Sequence, residues 1–420
     1  MRRVLLLSTT TGYQLRSFGD AAERLGIELV LGTDRCHHLD DPWRDGAIPV
    51  RFYEEQASLD AILAAHAGRP ISGVIAVGDR PTVLAARVAG ALGIPGNPVD
   101  AAEASRSKKA MRERFQRAGL PTPWVHVLPA TATEVSQASS ITFPCVVKPL
   151  GLSGSRGVIK VERPEDFEPA VTRVRQLLAR PQVKAQRTSL TKELLVEGYI
   201  DGREYAIEGL LTGGRLHVLA IFDKPDPLNG PFFEETIYVT PPEVPDDVAR
   251  GIGCEVERAA GALGLVHGPV HAECRVGPGG ITMLEVAARP IGGLCARVLR
   301  FERDGARITL EELLLRHALG EDTSRWRREL PAAGVMMMPI PRRGIFKGVT
   351  GEEAARDVRS VEDVVVTAKR DQLLEPLPEG DSYLGFIFAR ALHAAEVVAA
   401  LRESHGRLVF EVDPELRVLR

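Results

Sequence analysis

Segments that read as strands and segments that read as helices alternate over the first hundred residues, and this alternation constrains the fold most strongly. The strand-like runs are Val4–Ser8, Glu28–Leu31 and Gly73–Val77, while helical spacing of apolar residues marks Phe18–Leu25 and Val83–Leu92. Parallel strands need a crossover connection, which is usually a helix, whereas antiparallel strands can be joined by a tight turn. The pattern therefore predicts a parallel, Rossmann-like sheet covered by helices.

Length, charge and cysteine content set the class of protein. A chain of 420 residues exceeds the usual size of one hydrophobic core, so two or three domains are expected. The formal net charge is −3, so no overall positive charge indicates nucleic acid as the main partner. Val4–Leu7 is too short for a signal peptide, and no apolar run approaches a membrane span. Scattered cysteines indicate reduced thiols in a cytoplasmic protein: Cys36, Cys145, Cys254, Cys274 and Cys295.

A loop of small residues follows a buried strand-like run. The run Phe143–Val147 ends in Lys148, and the loop after it contains Gly151, Ser153, Gly154, Ser155 and Gly157. Small residues let backbone N–H groups approach phosphate oxygens, and the lysine adds a point charge. No Gly-Lys-Ser/Thr follows, so this is not a Walker A loop. A phosphate-binding loop and a glycine-rich hairpin with a solvated lysine both fit the pattern.

A second acidic segment reads as a hairpin. Glu197 ends one strand-like run, Asp201 and Gly202 supply a turn, and Glu204 opens the next run. Taken alone, the pattern fits a surface hairpin with solvated ends.

The segment His271–Pro290 carries the strongest chemical signal. The glycines at 277, 279 and 280 predict a β-hairpin, in which opposite residues share a face. With a turn centred near Pro278 or Gly279, Glu273 lies opposite Glu285 or one diagonal step away. Two carboxylates on one face need a cation or a proton between them. Mg²⁺ held by carboxylates and nucleotide phosphates meets that need.

Arg289 follows Glu285 by four residues. Its guanidinium can present a fork to an acyl phosphate or to a carboxylate. Glu285 itself lies in the apolar run Met283–Ala287, where a charge needs a partner. A surface hairpin with solvated acids is the alternative.

Taken in this order, the features resemble the ATP-grasp superfamily across essentially the whole chain. The match includes the Rossmann-like layer, Ser107 and Lys108 at the start of a helix, the strand lysine with its glycine loop, and both acidic hairpins. The resemblance implies a ligase that uses ATP and Mg²⁺ to turn a carboxylic acid into an acyl phosphate, which an amine then attacks. The expected products besides the amide are ADP and phosphate.

The resemblance also implies roles for individual residues. Those expected to hold or cover the ATP phosphates are Lys108, Lys148, Ser153, Gly154, Ser155 and Gly157. Those expected at the nucleoside are Glu197 and Tyr199, through their backbone at adenine, and Glu204 at the ribose. Those expected to bind Mg²⁺, with Mn²⁺ as the alternative ion, are Glu273 and Glu285. The expected catalytic set is Lys148, Glu285 and Arg289, with Arg289 at the acyl phosphate.

Within the superfamily, the chain looks most like the L-amino acid ligases that make dipeptides. The segments that carry this likeness are Pro231–Pro241, Glu285–Gly293, Val335–Pro341 and Tyr383–Ala389. The substrate-binding residues implied are Glu235, Tyr238, Arg289, Gly292 and Gly293. Glu235 is the expected anchor for the α-amino group of an L-amino acid; the alternative is that Glu234 and Glu235 are solvated loop acids.

Two positions depart from the family pattern. Many ATP-grasp enzymes place Asn two residues after the second metal acid, where this chain has Ala287. The dipeptide ligases often have His three residues after the pocket acid, where Tyr238 follows Glu235 here. The first departure bears on the strength of the metal site and the second on the choice of amino acid.

The expected fold is α/β and α+β in three parts. Residues 1–106 form a Rossmann-like N-terminal domain, and residues 107–330 form an ATP-grasp domain with a lid at about 124–200. Residues 331–420 form a C-terminal α+β domain.

Three other functions stay open. They are an ATP-grasp carboxylase that uses bicarbonate, a D-alanine-type ligase, and a nucleotide-binding regulatory module without turnover. The expected partners are a small carboxylic acid, which the resemblance makes an L-amino acid, and an amine. Neither nucleic acid nor a membrane is expected, and a homodimer is left open.

Overall fold

The structure, a computed structural model, describes residues 2–9, 14–34, 47–131 and 141–415. Cys36 lies outside these ranges, and the other four cysteines are free thiols, as the sequence predicts. Within the same ranges, no helix has both the length and the apolar character needed to cross a membrane.

The N-terminal layer is a four-stranded parallel sheet, which confirms the first prediction. Its strands are β1 (Arg3–Ser8), β2 (Glu28–Thr33), β3 (Ile48–Pro49) and β4 (Gly73–Val77), and its helices are α1 (Leu15–Leu25), α2 (Glu55–Gly68) and α3 (Thr82–Leu92). Every residue of β1 is buried, because Val4 and Leu6 pack towards α1 while Leu5 and Leu7 pack towards α2 and α3. A strand covered on both faces reads as a continuous apolar run, as this one does.

The order of these strands is β3-β2-β1-β4. From β1 the chain moves to β2 and β3 on one side, and it then returns to add β4 on the other side of β1. In open parallel sheets, a crevice forms at the carboxyl ends of the two strands where the direction reverses. Here that crevice lies between the ends of β1 and β4.

Two helices lead from this layer into a smaller antiparallel sheet. The helices are α4 (Val99–Arg106) and α5 (Lys108–Arg117). Ser107 caps α5, since its side chain accepts a hydrogen bond from the amide of Ala110 at 3.3 Å. The sheet has the order β5-β8-β6-β7, with β5 (Val125–Pro129), β6 (Cys145–Pro149), β7 (Ile159–Val161) and β8 (Glu193–Gly198), and it carries α6 (Phe167–Leu178) and α7 (Pro181–Lys184).

An antiparallel sheet of eight strands forms the centre of the molecule, in the order β13-β12-β9-β10-β11-β17-β21-β19. Its strands are β9 (Arg203–Thr212), β10 (Arg215–Asp223), β11 (Ile237–Thr240), β12 (Gly268–Gly277), β13 (Gly280–Ala287), β17 (Ala332–Met338), β19 (Val361–Val366) and β21 (Gly385–Ala391). Because β11 pairs with β17, this sheet crosses the domain boundary predicted at residue 331. The C-terminal segment thus shares the central sheet, and the boundary itself stays a prediction.

Two small sheets, four more α-helices and three short 3₁₀ helices (Pro164–Asp166, Ser189–Thr191 and Cys295–Val298) complete the described part. The small sheets are β15-β14-β16, with β14 (Arg300–Arg303), β15 (Ala306–Thr309) and β16 (Arg327–Arg328), and β20-β18-β22, with β18 (Gly344–Thr350), β20 (Leu373–Leu374) and β22 (Val409–Asp413). The helices are α8 (Asp246–Leu263), α9 (Leu310–Ala318), α10 (Glu352–Arg356) and α11 (Ala394–Gly406). Helix α8 ends at Gly264 in the left-handed conformation and buries Ile252, Val256, Ala259 and Leu263 against the central sheet.

Candidate active site

One face of the central sheet is polar where three of its strands meet. On β12, His271, Glu273 and Arg275 alternate, so all three side chains lie on the same face. On β9, Glu208 is opposite His271, and Glu204 is opposite Arg275. On the other side of β12, Glu285 of β13 is opposite Glu273, as the sequence predicts. This face borders a cavity.

The cavity has a volume of about 480 Å³. All the site residues predicted from the sequence line it, with the exception of Gly157. Its walls come from the loops after β1 and β4, the glycine loop after β6, the central sheet and the segment 381–386. Residues far apart in the chain are therefore brought to one place, although their roles stay predictions.

Lys148 and Glu197 form a buried ion pair on adjacent strands. Arg112 of α5 contacts the same carboxylate with two nitrogens, at 2.8 and 3.2 Å. Burial alone would raise the pKa of Glu197, but Arg112 and Lys148 outweigh it and lower that pKa to about 2. Burial lowers the pKa of Lys148 to about 8, against the opposing charge of Glu197. The Glu197 side chain is thus occupied by two cations, and the expected role of its backbone at adenine stays a prediction.

The glycine loop is attached at both ends. Lys108 donates from Nζ to the carbonyl oxygen of Leu152 at 2.8 Å, and its Nζ lies 3.4 Å from Oε2 of Glu285. At the other end, the amide of Gly157 donates to the carbonyl oxygen of Pro378 at 2.8 Å. Gly157 has a φ of 75°, a conformation that favours glycine, and a Cβ there would meet Leu177 at 2.8 Å. Its place is explained by packing and not by contact with the cavity.

Tyr199 presents its ring to the cavity while its amide is engaged. The amide donates to the carbonyl oxygen of Pro144 at 3.2 Å, so an adenine could not use that N–H without displacing this bond. The ring stacks on Phe233 with centroids 6.5 Å apart, and Lys160 Nζ lies 4.0 Å from its centroid. Arg275 also donates to the Tyr199 hydroxyl at 2.8 Å. Both rings also line the cavity, where they offer apolar surface to a ligand.

Lys224 lies at the centre of three carboxylates. Its Nζ is 2.7 Å from Glu204, 2.8 Å from Glu235 and 2.8 Å from Glu273. The oxygens of these three acids lie within 4.8 Å of one another, a grouping that could hold a metal ion. The ammonium group supplies the positive charge that such a cluster needs. Lys224 directly follows Asp223, at the point where the apolar run of β10 ends, and this is the signal that sequence reasoning missed.

Glu235 and Tyr238 border the same cluster. Burial raises the pKa of Glu235 to about 7, while Lys224 acts in the opposite direction. The Tyr238 hydroxyl donates to Oε1 of Glu273 at 3.3 Å, and Lys224 Nζ lies 4.8 Å from the centre of its ring. The Tyr238 hydroxyl thus contacts Glu273, a predicted metal ligand. Tyr238 itself stands at the position where the dipeptide ligases often have histidine.

Arg289 contacts the N-terminal layer. Its Nε lies 2.7 Å from the carboxylate of Asp79, which follows β4, and its Nη1 donates to the carbonyl oxygen of Pro290 at 3.0 Å. The next amide, that of Ile291, donates to the fully buried Glu208 at 3.1 Å. Sequence reasoning missed Asp79 and Glu208, since neither belongs to a local motif. Gly292 and Gly293 follow this segment and line the cavity.

Ala287 is opposite His271 on the polar face. Its methyl group is buried and offers no ligand atom to a metal. The donor set for a divalent ion is therefore made of carboxylate oxygens, which are the ligands that Mg²⁺ prefers.

Three family models match separate stretches of the chain. Residues 141–298 match the model of the ATP-grasp domain, residues 19–96 the ATP-grasp N-terminal domain, and residues 336–413 the L-amino acid ligase C-terminal domain 2. The crystal structure of L-amino acid ligase from Bacillus licheniformis superimposes with a TM-score of 0.81 at 27% identity, covering 98% of this chain and 99% of that one.

Curated relatives match over shorter stretches. The alanine–anticapsin ligase of Bacillus amyloliquefaciens is 31% identical over 198 residues, which cover 44% of this chain and 41% of that enzyme. The D-alanine–D-alanine ligase of Bordetella petrii is 28% identical over 41% of this chain and 52% of its own length. The chain thus spans about half or less of these two relatives. The chain therefore carries an ATP-grasp domain, an ATP-grasp N-terminal domain and the C-terminal domain of the L-amino acid ligases.

Proposed function

We propose that this ligase activates the carboxylate of an L-amino acid with ATP and joins the acyl group to an amine. The activated form is an acyl phosphate, and the other products are ADP and phosphate. One observation carries the proposal: a single cavity is lined by two lysines, the opposed pair Glu273 and Glu285, the arginine at 289 and the acid at 235, whose side chain is 14% exposed. Each supports one requirement of the reaction.

A carboxylate is a poor acyl donor because oxide is a poor leaving group. Phosphorylation turns the carboxylate into an acyl phosphate, whose leaving group is phosphate. This step needs positioning and charge neutralisation more than covalent help from the protein. Lys108 and Lys148 supply positive charge at the end of the cavity that the glycine loop borders. Because an acyl phosphate hydrolyses readily, the site must exclude water, and a glycine loop over the phosphates suits a lid.

The nucleotide would lie between the glycine loop and the rings of Tyr199 and Phe233. Stacking on these rings, with the backbone near Glu197, supports an adenine site. Glu204 has both carboxylate oxygens bonded, to Lys224 and to Arg275 at 3.0 Å, yet each oxygen keeps a second lone pair for a ribose hydroxyl.

The residues present fit a bound Mg²⁺, with Mn²⁺ as the alternative. Glu273 and Glu285 would hold it, since both carboxylates lie on the polar face and line the cavity. When bound, the ion neutralises charge on the phosphate oxygens. Because Ala287 offers no ligand atom, water would take the place of a third protein ligand.

The amino-acid donor would bind at Glu235. A partly buried carboxylate gains a charge-assisted hydrogen bond from an ammonium group, and such bonds are stronger than neutral ones. Tyr238 and the glycines at 292 and 293 would complete this subsite, and Arg289 would receive the donor carboxylate and then the acyl phosphate. Arg289 can do so once Asp79 releases it.

The deciding experiment is a phosphate-release screen of the twenty amino acids, singly and in pairs, with mass spectrometry of the products. An amide product that depends on an L-amino acid and ATP supports the proposal. Turnover driven by bicarbonate without an amino acid would make the chain a carboxylase, and a preference for D-enantiomers would make it a D-alanine-type ligase. A cytoplasmic location is also proposed, supported by the four free thiols.

A further inference from the structure

Gln14 is a buried side chain with one unsatisfied atom. It precedes α1, is 4% exposed and lines the cavity. Its Nε2 donates to the carbonyl oxygen of Ile291. Since a carbonyl can only accept, the amide nitrogen must face Ile291, and Oε1 must point elsewhere. Among the described residues this oxygen has no partner, although buried polar atoms normally have one.

Asp79 reaches the same segment from a second loop. It follows β4, and its carboxylate lies 2.7 Å from Nε of Arg289. Gln14 and Asp79 thus both contact the short stretch Arg289–Ile291, one from the loop after β1 and the other from the loop after β4. Both side chains border the cavity.

The position of these two loops is itself informative. Strands β1 and β4 are neighbours, and the order β3-β2-β1-β4 reverses direction between them. Ligands of open parallel sheets bind in the crevice outside the carboxyl ends of such a pair. Gln14 and Asp79 stand at this crevice, whereas Glu235 and Lys224 belong to the central sheet and its loops.

We propose that Gln14 and Asp79 form the subsite for the amino group of the acceptor, an inference that rests on the proposed function. When an acyl phosphate takes the guanidinium of Arg289, the Asp79 carboxylate loses its ion pair and needs another cation. An ammonium group supplies that charge and donates a second N–H to Oε1 of Gln14. The acceptor class is therefore a primary amine that arrives protonated, such as the amino group of a second amino acid.

The transfer balances with these groups in place. The ammonium loses one proton, and its nitrogen attacks the acyl carbon. The C–N bond forms and the bond from that carbon to the phosphate oxygen breaks, so that phosphate leaves with the electron pair. A second proton goes from nitrogen to phosphate, and the first is released to solvent.

Hydroxylamine provides the test, because it is a small nucleophile that is uncharged near neutral pH and needs no ammonium subsite. The amino-acid pair that releases most phosphate in the screen is used, with hydroxylamine replacing the acceptor in parallel. For Gln14→Leu and Asp79→Asn, the ratio of kcat/KM for the acceptor to kcat/KM for hydroxylamine should fall at least tenfold. Gln56→Leu is the control, since Gln56 is exposed on α2 of the same layer.

Two results would overturn the subsite. In one, both variants keep the kcat/KM of the parent for both nucleophiles, within about twofold. In the other, both nucleophiles lose kcat/KM equally, so that the ratio is unchanged, which would indicate a structural role. Asp79→Asn keeps the shape of the side chain and provides a second reading if Gln14→Leu does not fold. If the parent forms neither an amide nor a hydroxamate with any amino acid and ATP, the proposed function fails and this inference fails with it.

Discussion

Glu273 and Glu285 are opposite residues on adjacent strands, and a one-residue bulge is what pairs them. The two-residue turn at Pro278 and Gly279 alone would place Glu273 opposite Leu284. Glu285 would then project from the other face of the sheet, because side chains alternate along a strand. The extra residue Leu284 shifts the register by one. Bulges re-aim side chains in this way near active sites, and here two carboxylates come to share one face.

Exchanging Glu285 for glutamine tests this pairing. Glu285→Gln keeps the shape and removes the charge, so kcat should fall about a hundredfold or more if the carboxylate acts on charge that develops during transfer. Glu204→Gln should instead raise the KM for ATP while leaving kcat within about twofold. A contact with the ribose is the same in the bound ground state and in the transition state, so its loss weakens binding without slowing the chemical step. Steady-state kinetics with varied ATP measures both. Equal effects confined to KM in the two variants would contradict the assignment.

The donor anchor has a matched control in the next residue along the chain. Glu235→Gln should raise the KM for the amino-acid donor at least tenfold, or about 1.4 kcal/mol, with little change in the KM for ATP. Glu234→Gln should leave the donor KM within about twofold, because Glu234 is half-buried and makes no contact with Lys224. If both variants bind the donor like the parent, Glu235 is not the anchor.

Lys224 should be essential for stability, because removing it leaves three carboxylates without their shared cation. Lys224→Met should lower the free energy of unfolding by about 3 to 5 kcal/mol, as measured by urea denaturation. Lys184→Met on α7 is the control, since that lysine is exposed. Added Mg²⁺ should restore part of the loss by entering the three-carboxylate group. A variant as stable as the parent would show that Lys224 does not hold this cluster together.

The buried Lys148 predicts how nucleotide binding depends on pH. Its pKa is lowered to about 8, so the free enzyme loses this positive charge as pH rises through that value. The KM for ATP should then rise about tenfold per pH unit above the pKa. In Lys148→Arg the charge persists, because a guanidinium does not deprotonate in this range, and the KM should stay flat. Identical pH profiles for the two proteins would exclude Lys148 as the titrating group.

Local patterns account for what could be predicted from the sequence. The parallel layer follows from strand–helix alternation, and the hairpin that brings Glu273 and Glu285 near each other follows from the glycine-rich turn between two strands. The bulge at Leu284 could not be predicted, because the two turn positions considered differ by one residue and no local signal decides between them. The final register depends on packing against β9.

The missed residues share a physical reason. Asp79 and Gln14 belong to no motif, and Lys224 is marked only by its place at the end of the apolar run of β10. The partners of all three lie between 11 and 277 residues away in the chain. Arg275 could have been found, because it lies two positions after Glu273 and therefore on the same face. Gly157 was predicted at the phosphates, yet it packs under the loop against Leu177 and Pro149.

The most direct test of the account follows an oxygen atom. The amino-acid donor is prepared with ¹⁸O in its carboxylate and incubated with ATP and the amine, and the products are examined by mass spectrometry and nucleotide chromatography. If the carboxylate attacks the terminal phosphorus, one ¹⁸O atom must appear in the released phosphate, with ADP formed in equal amount. Unlabelled phosphate, or AMP as the nucleotide product, would contradict an acyl phosphate intermediate.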